Sequence, residues 1–275
     1  MDLKNRGQGG LEYLLILGAV ILVVAVVMSS IIFLSSQAKT QTNDSSQSIT
    51  GGLKDLLKQA SIGGLSDYWN LNETIGTKFQ NGLSGRGSLV CPLTFCPIVG
   101  GSMVDKWGNS ALEFTNSNND YLLIDFDKDP AYKIDSTFPK TVSVWFNSSA
   151  TSYFTDTSLL SLFFGKRVVE VYLRSDQVYF DDSKIVSTSF NQNQWHNVII
   201  VSTTNANQED NLTMYFDGVF VGNAIQTLTT SYPNVLYLSL NKTFRGSIGE
   251  VAIWDKALSS EQIVTLFNRT EESIE

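Results

Sequence analysis

The sequence predicts a mainly β protein that begins with one long hydrophobic α-helix. Three observations lead to this prediction. The apolar residues are concentrated between Leu11 and Leu34. From about residue 65 the chain changes to short alternating strands separated by turn residues. A helical pattern does not return until residues 259–267. We therefore expect a long N-terminal hydrophobic helix followed by an antiparallel β-sandwich.

The segment from Leu11 to Leu34 is long enough to cross a membrane. As a helix it spans about 36 Å, against about 30 Å for the hydrocarbon core of a bilayer. Lys4 and Arg6 precede it and few positive residues follow closely, which predicts that the rest of the chain lies outside the cell. The segment is longer than the apolar region of an ordinary secretory signal peptide. Its single charge, Glu12, costs about 2.5 kcal/mol or more at the lipid boundary, so a partner is expected.

Residues 4–15, KNRGQGGLEYLL, resemble the class III signal peptide of archaeal type IV pilins. In that family the prepilin peptidase cuts after the glycine of a short basic leader and leaves the apolar helix in the mature chain. The resemblance implies cleavage between Gly7 and Gln8, which makes Glu12 the fifth residue of the mature chain, where pilins carry a glutamate. The Glu12 carboxylate is then expected to neutralise the amine of Gln8 in a neighbouring subunit, because an unpaired charge in an apolar bundle costs several kcal/mol.

The chain between the hydrophobic segment and the sandwich is expected to act as a spacer. Residues 35–52 are rich in Ser, Gln, Thr and Asn, which indicates an exposed helix end or a flexible linker. The leucines of residues 53–60 are spaced for one face of a short helix. The predicted organisation is a leader at 1–7, an assembly or transmembrane helix at 8–34, a polar linker with a short helix at 35–61, a sandwich domain at 62–268 and a C-terminal tail at 269–275.

Six segments of the outer part have a clear strand pattern: 142–146, 168–173, 197–203, 212–221, 235–240 and 248–254. Within one of them, Asp217-Gly218 predicts a hairpin turn, since glycine tolerates the positive φ that a tight turn requires. Ser259 and Gln262 have the spacing of a helix capping box.

These segments also resemble the laminin-G-like or concanavalin-A-like jelly roll. The resemblance is carried by LSDYWNLNE at 65–73, WGNSALEF at 107–114, VSVWF at 142–146, WHNV at 195–198 followed by MYFDG at 214–218, and FRGSIGEVAIW at 244–254 followed by ALSSEQI at 257–263. It covers nearly all of residues 62–268 and implies a domain that binds carbohydrate or protein. Fold alone does not establish that function.

The two cysteines, Cys91 and Cys96, are too few to close a zinc site, which needs about four ligands. They predict a disulfide that staples a surface loop in an oxidising compartment, with two free thiols as the alternative. The net charge of −8, with acids spread along the chain, argues against nucleic acid as a partner.

Catalysis is not expected. His196 is the only histidine and is expected to pack within a strand. The glucanase branch of this fold uses closely spaced Glu-x-Asp-x-x-Glu carboxylates, and the nearest candidates, Glu170 and Glu250, lack such companions.

Residues 125–129 look like the start of an EF-hand, but Pro130 replaces the required glycine and Ser136 the required glutamate. A solvated acidic loop is therefore expected, with a structural calcium ion as the alternative; no ligand can be assigned to it and no other cofactor is implied. Six N-x-S/T sequons, each weak by itself, are candidate N-glycosylation sites: Asn43, Asn72, Asn147, Asn211, Asn241 and Asn268.

Taken together, the patterns predict a pilin-like subunit of an archaeal surface filament whose outer sandwich serves in adhesion or in carbohydrate or protein binding. Expected partners are the prepilin peptidase, other pilin subunits through the N-terminal helix, the membrane before assembly, and a carbohydrate or surface-protein ligand. One alternative is a membrane-anchored lectin-like protein, with a single span, that does not polymerise. A remote alternative is an extracellular glycan-cleaving enzyme. The expected location is the cell membrane and then the cell surface.

Overall fold

A computed structural model describes residues 61–268, with gaps at 74–76, 84–86, 92–95, 99–103, 106–109, 116–119, 129–139, 151–155, 166, 181–185, 205–209, 227–231 and 241–242. The chain divides into two units, 1–51 and 52–275, and all described residues belong to the second. The predicted cleavage site at Gly7 and Gln8, Glu12, the helix at 8–34, the linker before residue 61 and the tail at 269–275 lie outside the described residues.

The described part contains the following strands: β1 (Leu65–Trp69), β2 (Lys78–Phe79), β3 (Leu89–Val90), β4 (Leu112–Phe114), β5 (Leu122–Asp125), β6 (Thr141–Ser148), β7 (Thr157–Gly165), β8 (Arg167–Arg174), β9 (Gln177–Phe180), β10 (Val186–Ser189), β11 (Trp195–Thr204), β12 (Asp210–Phe216), β13 (Val219–Gln226), β14 (Tyr232–Leu238) and β15 (Gly246–Trp254). One helix, α1 (Ser260–Phe267), follows them. Each of the six segments predicted from sequence overlaps one or two of these strands.

The strands form two sheets. In the first sheet the order is β1-β15-β6-β11-β12-β13, and β4 also pairs with β15. In the second sheet it is β10-β9-β8-β7-β14-β5-β3-β2. Every pairing among these strands is antiparallel. The predicted antiparallel sandwich is therefore confirmed.

The alternation of side chains along each strand places the main core between the two sheets. In β6, Val142, Val144 and Phe146 belong to this core, whereas Trp145 lies on the opposite face. The second sheet contributes its own alternate residues, such as Leu162 of β7 and Val171 of β8. Because side chains in a strand alternate with period two, the residues between these core positions face outward on each sheet.

Helix α1 covers part of the outer face of the first sheet. Its buried residues, Ile263 and Leu266, pack in a second core cluster with Tyr68, Val201 and Trp254. The predicted capping box is present, because the Ser259 hydroxyl accepts a hydrogen bond from the Gln262 N–H, and the Gln262 side chain accepts one from the Ser259 N–H. The capping box satisfies two backbone donors and fixes where the helix begins.

The predicted hairpin between β12 and β13 is also confirmed. Asp217 and Gly218 both have positive φ, 49° and 76°, as a tight hairpin turn requires. The Asp217 carboxylate accepts the N–H of Asn197 at 2.8 Å and lies 2.7 Å from Nδ1 of His196. One side chain therefore holds the turn against the neighbouring strand β11.

We predict that a fragment of residues 61–275 folds without the N-terminal helix. Among the described residues, both core clusters are built from positions 62–266, which is enough to close a sandwich core. Within the part of the chain that the structure describes, no helix is long and apolar enough to cross a membrane. The fragment should be soluble and monomeric, with a circular-dichroism spectrum dominated by β-structure. A helical spectrum, or folding only when residues 11–34 are present, would contradict this organisation.

Candidate functional site

The outer face of the second sheet carries half-buried aromatic and charged side chains beside buried serines. In β8 the residues Val169, Val171 and Leu173 point into the core. The residues that alternate with them, Glu170, Tyr172 and Arg174, therefore face outward. We call the outward residues of β7, β8, β9 and β14 on this sheet the outer aromatic face: Ser158, Ser161, Phe163, Glu170, Tyr172, Arg174, Tyr179 and Tyr237.

Strand pairing brings these side chains together in rows across the sheet. Tyr237 of β14 is paired with Ser161 of β7, which is paired in turn with Glu170 of β8. In the next row, Tyr172 is paired with Tyr179 of β9. Directly paired residues on one face lie close enough for their side chains to interact. The rows therefore build one continuous surface in which aromatic and polar groups alternate.

Polar contacts fix the charged groups of this face. The Tyr172 hydroxyl donates a hydrogen bond to the Glu170 carboxylate. Arg174 Nη2 lies 2.6 Å from Oδ1 of Asp156, and its guanidinium lies over the ring of Tyr179 at 6.0 Å. These contacts hold the guanidinium and the carboxylate in place before any ligand binds, which lowers the entropy cost of binding.

Contacts between rings also fix the aromatic side chains of this face. The rings of Phe163 and Tyr237 meet edge to face, with their centroids 6.1 Å apart. Burial raises the pKa of the Tyr237 hydroxyl, and the nearby Tyr121 and Asp125 act in the same direction. At the rim, a hydrogen bond from Lys128 Nζ, at 2.8 Å, lowers the pKa of Asp125. The face is therefore bordered by a surface ion pair and keeps its tyrosine protonated.

This arrangement can bind a ligand that combines apolar patches with hydroxyl groups. Aromatic rings provide flat apolar surface, while the carboxylate of Glu170 and the guanidinium of Arg174 provide charge-assisted hydrogen bonds. Binding sites for small ligands usually have this composition: mostly aromatic lining with a few polar groups that fix orientation.

The two glutamates considered from sequence as catalytic candidates do not form a pair. Glu170 lies on the outer face of the second sheet, whereas Glu250 lies on the outer side of the first sheet. Glu250 is buried and accepts a hydrogen bond from the Tyr68 hydroxyl at 3.1 Å. The two carboxylates of a glycosidase stand about 5–10 Å apart. Because the whole core separates Glu170 from Glu250, they cannot act on one substrate bond.

The remaining chemistry-bearing residues have structural contacts. His196 is buried, its Nδ1 meets Asp217, its Nε2 lies 2.9 Å from the carbonyl oxygen of Asn191, and its ring stacks on Phe216. The predicted disulfide between Cys91 and Cys96 is present, with a Cα–Cα distance of 5.1 Å.

The acidic loop after β5 uses its carboxylates within the protein. Asp125 Oδ1 accepts the N–H groups of Asp127 and Lys128. Asp127 accepts both the N–H and the side-chain amide of Asn234, at 3.0 and 2.7 Å. No group of three or more His, Cys, Asp or Glu residues in the described ranges is placed to hold a metal ion. Calcium binding therefore stays a prediction. Asp125 and Asp127 do not form a calcium site in this structure, because their oxygens bond within the protein.

The sequons differ in their surroundings. Asn147 is only 4% exposed and lies within β6, where a glycan would require the strand to leave the sheet. Glycosylation at Asn147 stays a prediction that the burial of this side chain disfavours. Asn72 and Asn211 are half-buried and Asn268 is exposed; Asn43 and Asn241 lie outside the described residues. Glycosylation at these five positions stays a prediction.

Sequence reasoning did not find the outer aromatic face. The available signal was the alternation in β8, where Glu170, Tyr172 and Arg174 interleave with Val169, Val171 and Leu173. That alternation predicts a strand with one solvent-facing side. The cross-strand partners Tyr179, Ser161 and Tyr237 depend on strand register, which the sequence of β8 does not contain.

An antiparallel two-sheet sandwich with a helix on one outer face and half-buried aromatic residues on the other has the architecture of a lectin-like jelly-roll domain. The chain belongs to the concanavalin A-like lectin/glucanases superfamily, whose family model matches residues 116–264. A second family model, that of the class III signal peptide, matches residues 5–31. The two matches confirm the class III signal peptide and the concanavalin-A-like domain that the sequence predicts. A class III signal peptide indicates secretion or membrane anchoring of the chain.

The chain is also similar to solved structures. One is the binding domain of botulinum neurotoxin DC in complex with SialylT, with a TM-score of 0.55, 11% identity, and coverage of 77% of this chain and 52% of that chain. Another is the Trypanosoma rangeli sialidase in complex with the inhibitor DANA, with a TM-score of 0.55, 13% identity, and coverage of 74% of this chain and 33% of that chain. The chain thus spans about half or a third of these proteins, and at such identities the likeness concerns the fold. No curated protein matches this chain.

Proposed function

We propose that this protein is a pilin-like subunit of a cell-surface filament and that its outer domain binds glycans through the outer aromatic face. The observation that carries the proposal is the joint occurrence of a class III signal peptide at 5–31 and a lectin-like sandwich in one chain. A prepilin peptidase removes the leader, and the helix at 8–34 remains for assembly. The sandwich is then presented outside the cell.

The choice of a glycan as ligand is supported by the composition of the outer aromatic face. Sugar rings present apolar C–H faces, which stack on aromatic rings, and hydroxyl groups, which bond to carboxylates and guanidinium groups. Tyr172 and Tyr179 supply adjacent rings on neighbouring strands, and Glu170 and Arg174 flank Tyr172 on β8. Among the structurally similar proteins, a toxin binding domain carries SialylT in its complex.

The test is to screen the 61–275 fragment on a glycan array and to measure the best-bound glycan by calorimetry with substituted fragments. Tyr172→Ala and Tyr179→Ala are each expected to weaken binding by roughly thirtyfold, since loss of an aromatic anchor costs about 2 kcal/mol. Phe220→Ala is the matched control, because Phe220 is an exposed aromatic residue on the first sheet.

The control should bind as the parent fragment does, and all variants should keep the parent melting temperature. Equal loss of binding in Phe220→Ala would place the glycan elsewhere on the domain. A fragment that binds none of the array glycans would contradict the glycan-binding half of the proposal.

A further inference from the structure

The outer face of the first sheet carries a group of apolar side chains that α1 leaves uncovered. Val219, Phe220 and Ile225 of β13 are 68%, 57% and 62% exposed. They are three of the seven exposed large apolar residues in the described part of the chain, although β13 has only eight residues. Single exposed apolar residues need no explanation, whereas a group of them usually marks a surface that is covered in the working protein. We call these three residues the β13 patch.

Strand β12 places an N-glycosylation sequon beside the β13 patch. The sequon is Asn211-Leu212-Thr213, whose middle residue is not proline. Leu212 belongs to the main core, so Asn211 and Thr213 both face outward. Strand pairing sets Asn211 opposite Ile225 and Thr213 opposite Asn223. Cross-strand partners on one face have Cβ atoms about 5 Å apart, so Asn211 is a direct neighbour of the patch.

The outward rows continue from the sequon to the other end of the patch. Thr213 and Asn223 form a polar row, in which Asn223 is exposed. In the next row Tyr215 is paired with Phe220, and their rings meet edge to face with centroids 5.9 Å apart. From Ile225 to Phe220 the strand extends about 16 Å, at about 3.3 Å per residue. Polar groups therefore lie between two apolar ends along one track.

No hydrogen bond holds the amide oxygen of Asn211. The side chain is half-buried, and this oxygen has no hydrogen-bond partner in the described part of the chain. The amide can therefore turn its nitrogen outward without losing a bond from that oxygen. Asn147, the sequon residue on β6, is 4% exposed and lacks such access to solvent.

We propose that Asn211 carries an N-linked glycan that lies along β12 and β13 and covers Phe220 and Ile225. The co-reactant is an oligosaccharide carried on a lipid diphosphate. In the transfer, the amide nitrogen of Asn211 forms a bond to the anomeric carbon of the first sugar, and the bond from that carbon to the diphosphate oxygen breaks. The diphosphate leaves with the electron pair, and the amide gives one proton to a base of the transferase.

Buried area favours an attached glycan over a protein partner for the β13 patch. Stable protein complexes bury about 1,200–2,000 Å² in total, which is more than three side chains supply. A glycan on Asn211 needs no such area, because its covalent bond keeps it beside the patch at high effective concentration. The apolar C–H faces of its sugars pack on Ile225 and Phe220, and its hydroxyl groups bond to Thr213 and Asn223 between them.

The glycan leaves the outer aromatic face open. None of the six sequons lies on β7, β8, β9 or β14, the strands that build that face. Asn211 belongs to the first sheet, on the other side of the core. The inference is independent of the proposed filament and of the proposed glycan ligand, since it concerns a sugar attached to the chain itself.

The experiment uses the full chain isolated in the surface fraction of its native producer. Mass spectrometry of glycopeptides measures the occupancy of Asn211. Hydroxyl-radical footprinting then measures the oxidation of Phe220 and Ile225, with Val264 on the exposed side of α1 as the internal reference. Thr213→Val removes the hydroxyl that the sequon requires and keeps a β-branched side chain suited to a strand. Thr213→Ser is the matched control, because it keeps the sequon.

We expect a glycan on Asn211 in the parent chain and in Thr213→Ser, and none in Thr213→Val. Oxidation of Phe220 and Ile225 should rise several-fold in Thr213→Val, while that of Val264 stays unchanged. Asn211→Gln, which removes the acceptor instead, should give the same increase. An unmodified Asn211 in the parent chain would overturn the inference. So would unchanged oxidation of Phe220 and Ile225 after loss of the glycan, or an equal rise at Val264, which would indicate a loosened domain rather than an uncovered patch.

Discussion

Replacing Gly246 by alanine is expected to prevent folding of the sandwich, or to lower its free energy of unfolding by more than about 4 kcal/mol. Gly246 has a φ of 138°, a conformation that side chains rarely adopt. A Cβ at this position would lie 2.0 Å from the carbonyl oxygen of Asn147 and 2.9 Å from Cα of Ser148. Both atoms are backbone, so no change of rotamer relieves the overlap. Gly246 also pairs with Phe114 on its other side, which prevents β15 from moving away.

Gly249→Ala is the matched control in the same strand. Its Cβ would meet only side chains, Cβ of Asp105 at 3.1 Å and the ring of Trp195 at 3.3 Å. Such crowding costs about 1–3 kcal/mol. The free energies of unfolding of the two variants are compared by urea unfolding of the 61–275 fragment, monitored by tryptophan fluorescence. A Gly246→Ala fragment as stable as the parent, or more stable than Gly249→Ala, would show that β15 and β6 can separate at this point.

Gly246 also illustrates which part of the fold the sequence determines. The sequence pattern predicts a strand at 248–254, and β15 covers Gly246–Trp254, so Gly246 lies just before the predicted strand. Strands with strict alternation, such as β6 and β12, were located to within a few residues. Their inward and outward sets follow from period two alone. The capping box of α1 was found because its two residues contact each other within one turn of helix.

Strand β7 was missed for a physical reason. Its pairing with β8 is irregular between Ser158 and Leu160, and Leu159 and Leu160 are both buried in the main core. Two consecutive buried residues break the alternation that a strand search requires. The strand is stabilised by its neighbours on both sides, β8 and β14. Such tertiary context is not present in a nine-residue window of sequence.

The outer aromatic face could not be predicted for a related reason. Its rings come from four strands, and Tyr237 meets Phe163 although 74 positions separate them in the chain. Sequence reasoning evaluated residues within single segments, where Glu170 lacked a catalytic companion. The relevant neighbours of Glu170 are Tyr172 on its own strand and Ser161 across the ladder. The residues of this face come from different strands, so the face can be recognised only when the strand order and the register of the sheet are known.

Replacing Glu12 by glutamine is expected to remove the protein from sheared surface filaments while leaving its processing and its membrane level unchanged. In the proposed filament, the Glu12 carboxylate is expected to face the Gln8 amine of a neighbouring subunit inside an apolar bundle. Deleting one partner of a buried ion pair costs on the order of 3–5 kcal/mol, because the other charge is left without compensation. At 1.4 kcal/mol per factor of ten, such a loss reduces incorporation by more than a hundredfold.

A membrane anchor that does not polymerise predicts the opposite result. There the carboxylate lies at the lipid boundary with no defined partner, so Glu12→Gln removes a costly charge and is neutral or slightly favourable for insertion. Glu12→Asp is the control, since it keeps the charge on a shorter side chain and should restore part of the incorporation. Immunoblots of sheared filaments and of membranes measure the two pools, and N-terminal sequencing confirms that the mature chain begins at Gln8. Normal incorporation of Glu12→Gln would remove the assembly role of Glu12 and favour the anchored, non-polymerising form.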